Sequence, residues 1–161
     1  MAIFVNILQD ALFSAIAAIG FAAISRPPRK AFLYCALIAA AGHSLRYTLM
    51  LGCISLHIIP ATLIAAFLTG VLAVAVSPIS RIPAETYLFP SLLPMIPGIY
   101  AYKTFAGLAL CIFSDSQQEF LRNFYILGYN GFTCCSILLS MVVGAVVPIF
   151  LFKKISFQAT R

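Results

Sequence analysis

Charge is scarce in this chain, with ten Lys and Arg against four Asp and Glu, 9% charged residues in all. Beside 63% hydrophobic residues and a mean hydropathy of +1.06, that scarcity excludes an ordinary soluble domain and points to an integral membrane protein. The net charge of +6 would suggest nucleic acid in a soluble chain. Here the basic residues flank apolar runs, where the positive-inside rule accounts for them, so no nucleic-acid partner is expected. Five cysteines, an odd number without a C-x-x-C spacing, make neither a disulfide framework nor a zinc site, and they read as small packing residues. Cys53 and His57 are four residues apart but lack a third ligand, so no metal is expected. There is no Ser-His-Asp ordering, H-E-x-x-H, P-loop or dinucleotide fingerprint, so the chain is not read as an enzyme or an ATP-driven pump, and no cofactor is expected. Internal repeats and low-complexity tracts are absent too. The N-terminal segment lacks a basic n-region and carries Asp10, which argues against a cleavable signal peptide and for a retained helix.

What is present is a series of long apolar segments. A membrane span needs about 20 apolar residues, so the expected fold is an all-α polytopic membrane protein of about five transmembrane helices. Residues 1–161 are read as a single integral-membrane domain. Helix one runs from Ile3 to about Ser25, with Ala11, Ala15, Ala18 and Ala22 spaced to let a neighbour approach closely. Arg26-Pro27-Pro28-Arg29-Lys30 stops it and supplies a dense positive loop. Helix two, about Ala31 to Gly52, carries Gly42, His43 and Arg46. Helix three, about Ser55 to Ser77, has Pro60 in its first turns and an Ala66-x-x-x-Gly70 pair for close packing. A short connection with Arg81 and Pro83 leads to helix four, about Ala84 to Phe113. Ser114 to Asn123, with Asp115, Glu119 and Arg122, is expected as a polar loop. Helix five, about Phe124 to Phe152, has Ser136, Ser140 and Gly144 at four-residue spacing and ends at Lys153-Lys154.

Helix four is expected to be broken at Pro94, Pro97 and Gly98. Prolines at 90, 94 and 97 each remove a helical hydrogen bond and collide with the carbonyl one turn back, so they do not all fit one straight span. In a bilayer, irregular backbone is tolerated only where protein buries it or where it lines a wet cavity, which makes the break a candidate binding site. Lys103 lies about one and a half turns into the half-helix that restarts after Gly98, so that amide donors and an ammonium point to one anion. Tyr100 and Tyr102, with Tyr129, are the deeper phenols that would line such a cavity. The alternative is a proline kink that only shapes packing, with Lys103 snorkelling to an interface.

Polar residues inside spans are costly, which singles out Asp10, His43 and Arg46. Asp10 and Arg46 fall at a similar depth on consecutive antiparallel helices, and an ion pair between them is expected, structural by default and with a transport role if Asp10 takes up a proton. His43 reads either as a proton carrier or as a packed neutral imidazole. Arg26, Arg29, Lys30, Arg81, Lys153, Lys154 and Arg161 fall on one side of a five-span arrangement and Arg122 on the other, so the N-terminus is expected outside and the C-terminus in the cytoplasm. Tyr34, Tyr47, Tyr87 and Tyr125 lie near the expected span ends, as interfacial tyrosines do.

Asp10, Gly20-Phe21-Ala22 before the basic Pro loop, Gly42-His43 followed by Arg46, and above all Leu93-Pro94-Met95-Ile96-Pro97-Gly98-Ile99-Tyr100-Ala101-Tyr102 resemble the short subunit of the bacterial threonine/serine exporter family. The resemblance covers nearly the whole chain, and Pro-x-x-Pro-Gly is its most specific element. Where family members often carry Asn before the Pro loop, this chain has Ser25-Arg26. The resemblance implies a subunit of a bacterial inner-membrane exporter of small carboxylates, either hydroxy amino acids such as threonine and serine or dicarboxylates such as succinate. It also implies a longer membrane subunit as partner, alongside the lipid bilayer. Two other readings remain open at this point: a scaffold subunit that supplies only packing surface, and a homo-oligomeric channel.

Overall fold

The computed structural model describes residues 2–51 and 55–152. Gly52, Cys53, Lys153, Lys154, Ser156 and Arg161, on which some of the expectations above fall, lie outside the described residues. The described residues form helices joined by short connections, with no strand among them: α1 (Ala2–Ser25), α2 (Arg29–Met50), α3 (Ile58–Ser80), α4 (Ala84–Leu92), a 3-10 turn (Leu93–Met95), α5 (Gly98–Ile112) and α6 (Gln117–Leu151). The protein is therefore an all-α polytopic membrane protein. Among the described residues three helical stretches are long and apolar enough to cross a membrane, Ile3–Ser25, Ile58–Ser80 and Gln117–Leu151. The bent pair Ala84–Met95 and Gly98–Ile112 adds a fourth if it forms one crossing. α2 has 22 residues, or about 33 Å at 1.5 Å per residue, but His43, Ser44 and Arg46 keep it out of this apolar set.

Local chemistry sets the helix ends. Arg26 takes a left-handed φ of 48° after α1, and Pro27-Pro28 bars continuation before α2 begins. His57 caps α3 by accepting from the Ile59 amide at 3.4 Å. The polar stretch expected as a loop from Ser114 to Asn123 is a loop only at its start. Ser116 Oγ accepts from the Glu119 amide at 3.3 Å, an N-terminal cap that starts α6 at Gln117, seven residues earlier than the apolar pattern suggests. The resulting 35 residues extend about 52 Å, well beyond a hydrocarbon core of about 30 Å, so the polar first turns have room outside it.

The chain divides into two compact units, Met1–Met95 with Ser140–Arg161, and Ile96–Leu139. In the first, α2 packs on α1, α3, α4 and the 3-10 turn, which makes it the central helix and explains how it can carry polar residues. α1 meets it through Ser14, Ala18 and Ala22, all buried at four-residue spacing. The Ala66/Gly70 pair on α3 meets the end of α6 so closely that a Cβ on Gly70 would lie 2.6 Å from the Ala145 carbonyl oxygen and one on Gly144 2.5 Å from that of Leu63. Pro90 lies inside α4 and not at the break. Its ring deprives the Thr86 carbonyl of a helical donor, and the Cys35 thiol on α2 points to that oxygen at 3.9 Å. Ser91 Oγ in turn lies 2.9 Å from the Cys35 carbonyl oxygen. Tyr87, expected at an interface, is fully buried, edge-on to Tyr34 with its hydroxyl on Ser80 Oγ.

The second unit is a helical hairpin of α5 and the first part of α6. Gly107 lets the two backbones approach, since a Cβ there would lie 2.9 Å from the Leu127 nitrogen. Asn123 Nδ2 donates to the Leu110 carbonyl at 3.3 Å and to Ser114 Oγ at 3.1 Å, closing the hairpin at its turn.

Candidate functional site

The break in helix four is built by proline chemistry. After α4 the chain tightens into the 3-10 turn Leu93–Met95. Pro97, at φ −78° and ψ 65°, is the centre of an inverse γ-turn closed by the Gly98 amide on the Ile96 carbonyl at 2.8 Å. Helical bonding resumes with the Ala101 amide on the Pro97 carbonyl at 3.1 Å. The carbonyls just before the break are thereby left without helical donors, and each must find another partner.

Met95 shows how this is met. Its side chain is fully buried against Gly42, where a Cβ would run into Thr69 Oγ1 and come within 2.8 Å of Met95 Cε. Its carbonyl accepts from Arg46 Nη1 at 2.8 Å. Gly42 and Arg46 are one turn apart on α2, so a single face of that helix receives both the side chain and the main chain of Met95.

Arg46 is itself the end of a relay. Its Nη2 lies 2.8 Å from His43 Nε2, and His43 Nδ1 lies 2.5 Å from Asp10 Oδ2. The guanidinium has only donors, so Nε2 must be the acceptor, and the imidazole then carries its proton on Nδ1 and donates it to the Asp10 carboxylate. A neutral, Nδ1-protonated His43 is the one state that satisfies both neighbours. The Asp10–Arg46 ion pair expected from depth alone is therefore corrected: among the described residues Asp10 is bonded to His43 and not to Arg46, and the neutral imidazole stands between the two charges. Similar depth placed the residues at one level, but the side-chain reach is bridged by a third group.

Asp10 and His43, whose side chains are 23% and 16% exposed, open with Phe13, Ser14, Ala17 and Pro94 onto a groove of about 210 Å³. The other acidic residues, Glu85, Asp115 and Glu119, are exposed, so Asp10 is the acidic side chain that the fold draws inward.

Asp10, His43, Arg46 and Pro94 are thus brought together in the first unit. Pro97, Gly98, Tyr100, Tyr102 and Lys103 belong to the second. There Pro97 is buried, Tyr100 half-buried, and Gly98, Tyr102 and Lys103 exposed at the start of α5. The first amides of α5 have no side-chain cap, since Pro97 has none to offer. Tyr129 is exposed and stacks on Tyr125 at 6.1 Å. The sequence reading missed Met95 and Ser14. Met95 looked like one more apolar residue, and only the Pro-rich context hinted that its carbonyl needed a partner.

No solved structure matches this chain. A Haemophilus influenzae protein described as an uncharacterized protein is 33% identical over 157 residues, covering 92% of this chain and 48% of that protein. The chain thus spans about half the length of that relative. The family described as Threonine/Serine exporter, ThrE, matches residues 10–151, a range that takes in Asp10, the α2 cluster and the whole broken helix, and the chain belongs to that family.

Proposed function

We propose that this chain is one subunit of a bacterial inner-membrane exporter of small carboxylate metabolites, hydroxy amino acids such as threonine and serine or dicarboxylates such as succinate, working with a longer membrane subunit. Membership of an exporter family supports transport. The observation that carries the reading is the broken helix, whose last carbonyl before the break is held by an intramembrane arginine. Structure of that kind is expensive in a bilayer and is expected where a pathway runs. We assign substrate contact to the start of α5, where uncapped amides, Tyr100, Tyr102 and the exposed Lys103 offer an anion donors and a positive charge. Asp10, His43 and Arg46 are assigned to coupling, and Pro94, Pro97 and Gly98 at the break to substrate binding.

The test is efflux of labelled threonine and succinate from cells that carry the chain with its partner subunit, comparing wild type, Lys103→Met and Lys103→Arg. Export is expected to vanish in the first variant and to persist in part in the second. Equal export by all three forms would remove Lys103 from the mechanism, and absence of export by the wild type would remove the transport reading.

A further inference from the structure

We infer that His43 is a proton-operated latch on the break: binding of a proton at Nε2 releases Arg46, and with it the Met95 carbonyl. The latch follows from the donor count of the relay. Asp10 accepts, His43 donates from Nδ1 and accepts at Nε2, and Arg46 donates to both His43 and Met95. A hydronium ion reaching the groove breaks one O–H bond, leaves as water and gives its proton to the Nε2 lone pair; no other covalent bond is made or broken, and the hydrogen bond from Arg46 to Nε2 is lost. Nδ1–H stays on the Asp10 carboxylate, so the imidazolium is retained as an ion pair. Nε2–H, however, now faces a guanidinium N–H that was 2.8 Å away, donor against donor and cation against cation. Arg46 has to withdraw, and its Nη1 is what holds the Met95 carbonyl.

The other groups around His43 leave this logic intact. α1 contributes Asp10 alone among ionisable side chains, and α3 contributes none. On α4, Glu85 is exposed and Tyr87 is engaged with Ser80, while the 3-10 turn has no ionisable side chain. On α2 itself, Arg46 is the charged residue within hydrogen-bond reach. Asp10 therefore holds the imidazolium in place, and Arg46 is the one partner that is expelled. Both side chains keep some exposure in the groove, and that opening is the route by which the latch requires its proton to arrive.

The inference rests on the export reading only in taking the break as the moving part, and its test does not involve transport. The chain has no tryptophan, so Leu93→Trp places a single fluorophore in the 3-10 turn. The full chain in lipid nanodiscs, labelled with 15N-histidine and carrying His57→Asn to leave one imidazole, is titrated with acid while 15N shifts and tryptophan emission are followed. The expected result is an Nδ1–H tautomer at neutral pH and a red shift of emission that tracks formation of the imidazolium. His43→Gln presents an amide N–H to Asp10 and an amide oxygen to Arg46 with no proton-binding nitrogen, and in that background the emission shift is expected to disappear. An Nε2–H tautomer at neutral pH, an imidazolium that forms without any emission change, or a shift that persists in His43→Gln would each overturn the latch. Loss of export with the latch intact would count against the transport reading alone.

Discussion

Arg46 donates to the main-chain carbonyl of Met95 at 2.8 Å, so a side chain from α2 takes the place of the amide that Ile99 would supply in an unbroken helix. The same guanidinium is held from behind by His43. The break is thus kept in shape by a side chain that is itself positioned by two others, and the cost of irregular backbone is offset by a chain of polar contacts instead of by water.

Removing Arg46 should therefore be felt in stability before it is felt in transport. Arg46→Met leaves both the Met95 carbonyl and His43 Nε2 without a donor, at about 1–3 kcal/mol for each buried group left unpaired. Arg46→Lys keeps the charge but not the planar fork that reaches two acceptors, and should fall between. Thermal unfolding in detergent is expected to rank wild type above Lys and Lys above Met. A Met variant as stable as wild type would mean that the carbonyl is satisfied in another way.

The close approach of α3 to α6 gives a second expectation. Gly144→Ala and Gly70→Ala add a Cβ at 2.5 Å and 2.6 Å from backbone oxygens, which cannot swing aside as a side chain does. Each should destabilise by about 1–3 kcal/mol, as overpacking does. Gly20→Ala meets nothing within 4 Å and lies inside α1, so it should be neutral or stabilise by about 0.5–1 kcal/mol. Melting temperatures of the three variants check the ordering.

Much of this arrangement is legible in the chain itself, for physical reasons that can be named. Pro94, Pro97 and Gly98 announce the break because proline chemistry is local, and Ala66 and Gly70 announce a close contact because few other residues permit one. Pro90 could not be assigned in the same way. Its freed carbonyl is met by Cys35, 51 residues from Thr86, and nothing local reveals that thiol. The start of α6 is hidden by its polarity, which marks the stretch as loop although Ser116-x-x-Glu119 is a capping pattern. Asp10 and Arg46 were placed at one level by counting residues, but counting gives depth and not the bridging imidazole.

Charge gives an expectation for orientation, and labelling tests it. If Arg26, Arg29, Lys30, Arg81, Lys153, Lys154 and Arg161 share one side and Arg122 lies on the other, as the positive-inside rule proposes, cysteines introduced at Ser116 and Ser156 should react from opposite faces, Ser116 from outside. Reaction of both from one face would reverse the assignment of at least one span.

Exchanging the charges of Asp10 and Arg46 separates the relay from the support it gives the break. In Asp10→Arg alone, His43 lies between two donors, and a neutral imidazole has only one acceptor nitrogen, so no available protonation state satisfies both. In Arg46→Asp alone it lies between two acceptors, and the imidazolium, with two N–H groups, serves both. Asp10→Arg with Arg46→Asp restores a donor and an acceptor, and His43 can answer by moving its proton to Nε2. The three-member chain is then complete again in mirror order. The Met95 carbonyl is not recovered, because a carboxylate at position 46 has no N–H to give it. The expected order of thermal stability is wild type, then the double variant, then Arg46→Asp, with Asp10→Arg lowest. The double variant should also show the Nε2–H tautomer by 15N shift and should fail to export. Full recovery of both stability and export by the double variant would mean that the contact between Arg46 and Met95 is dispensable, and with it the role assigned here to the α2 arginine.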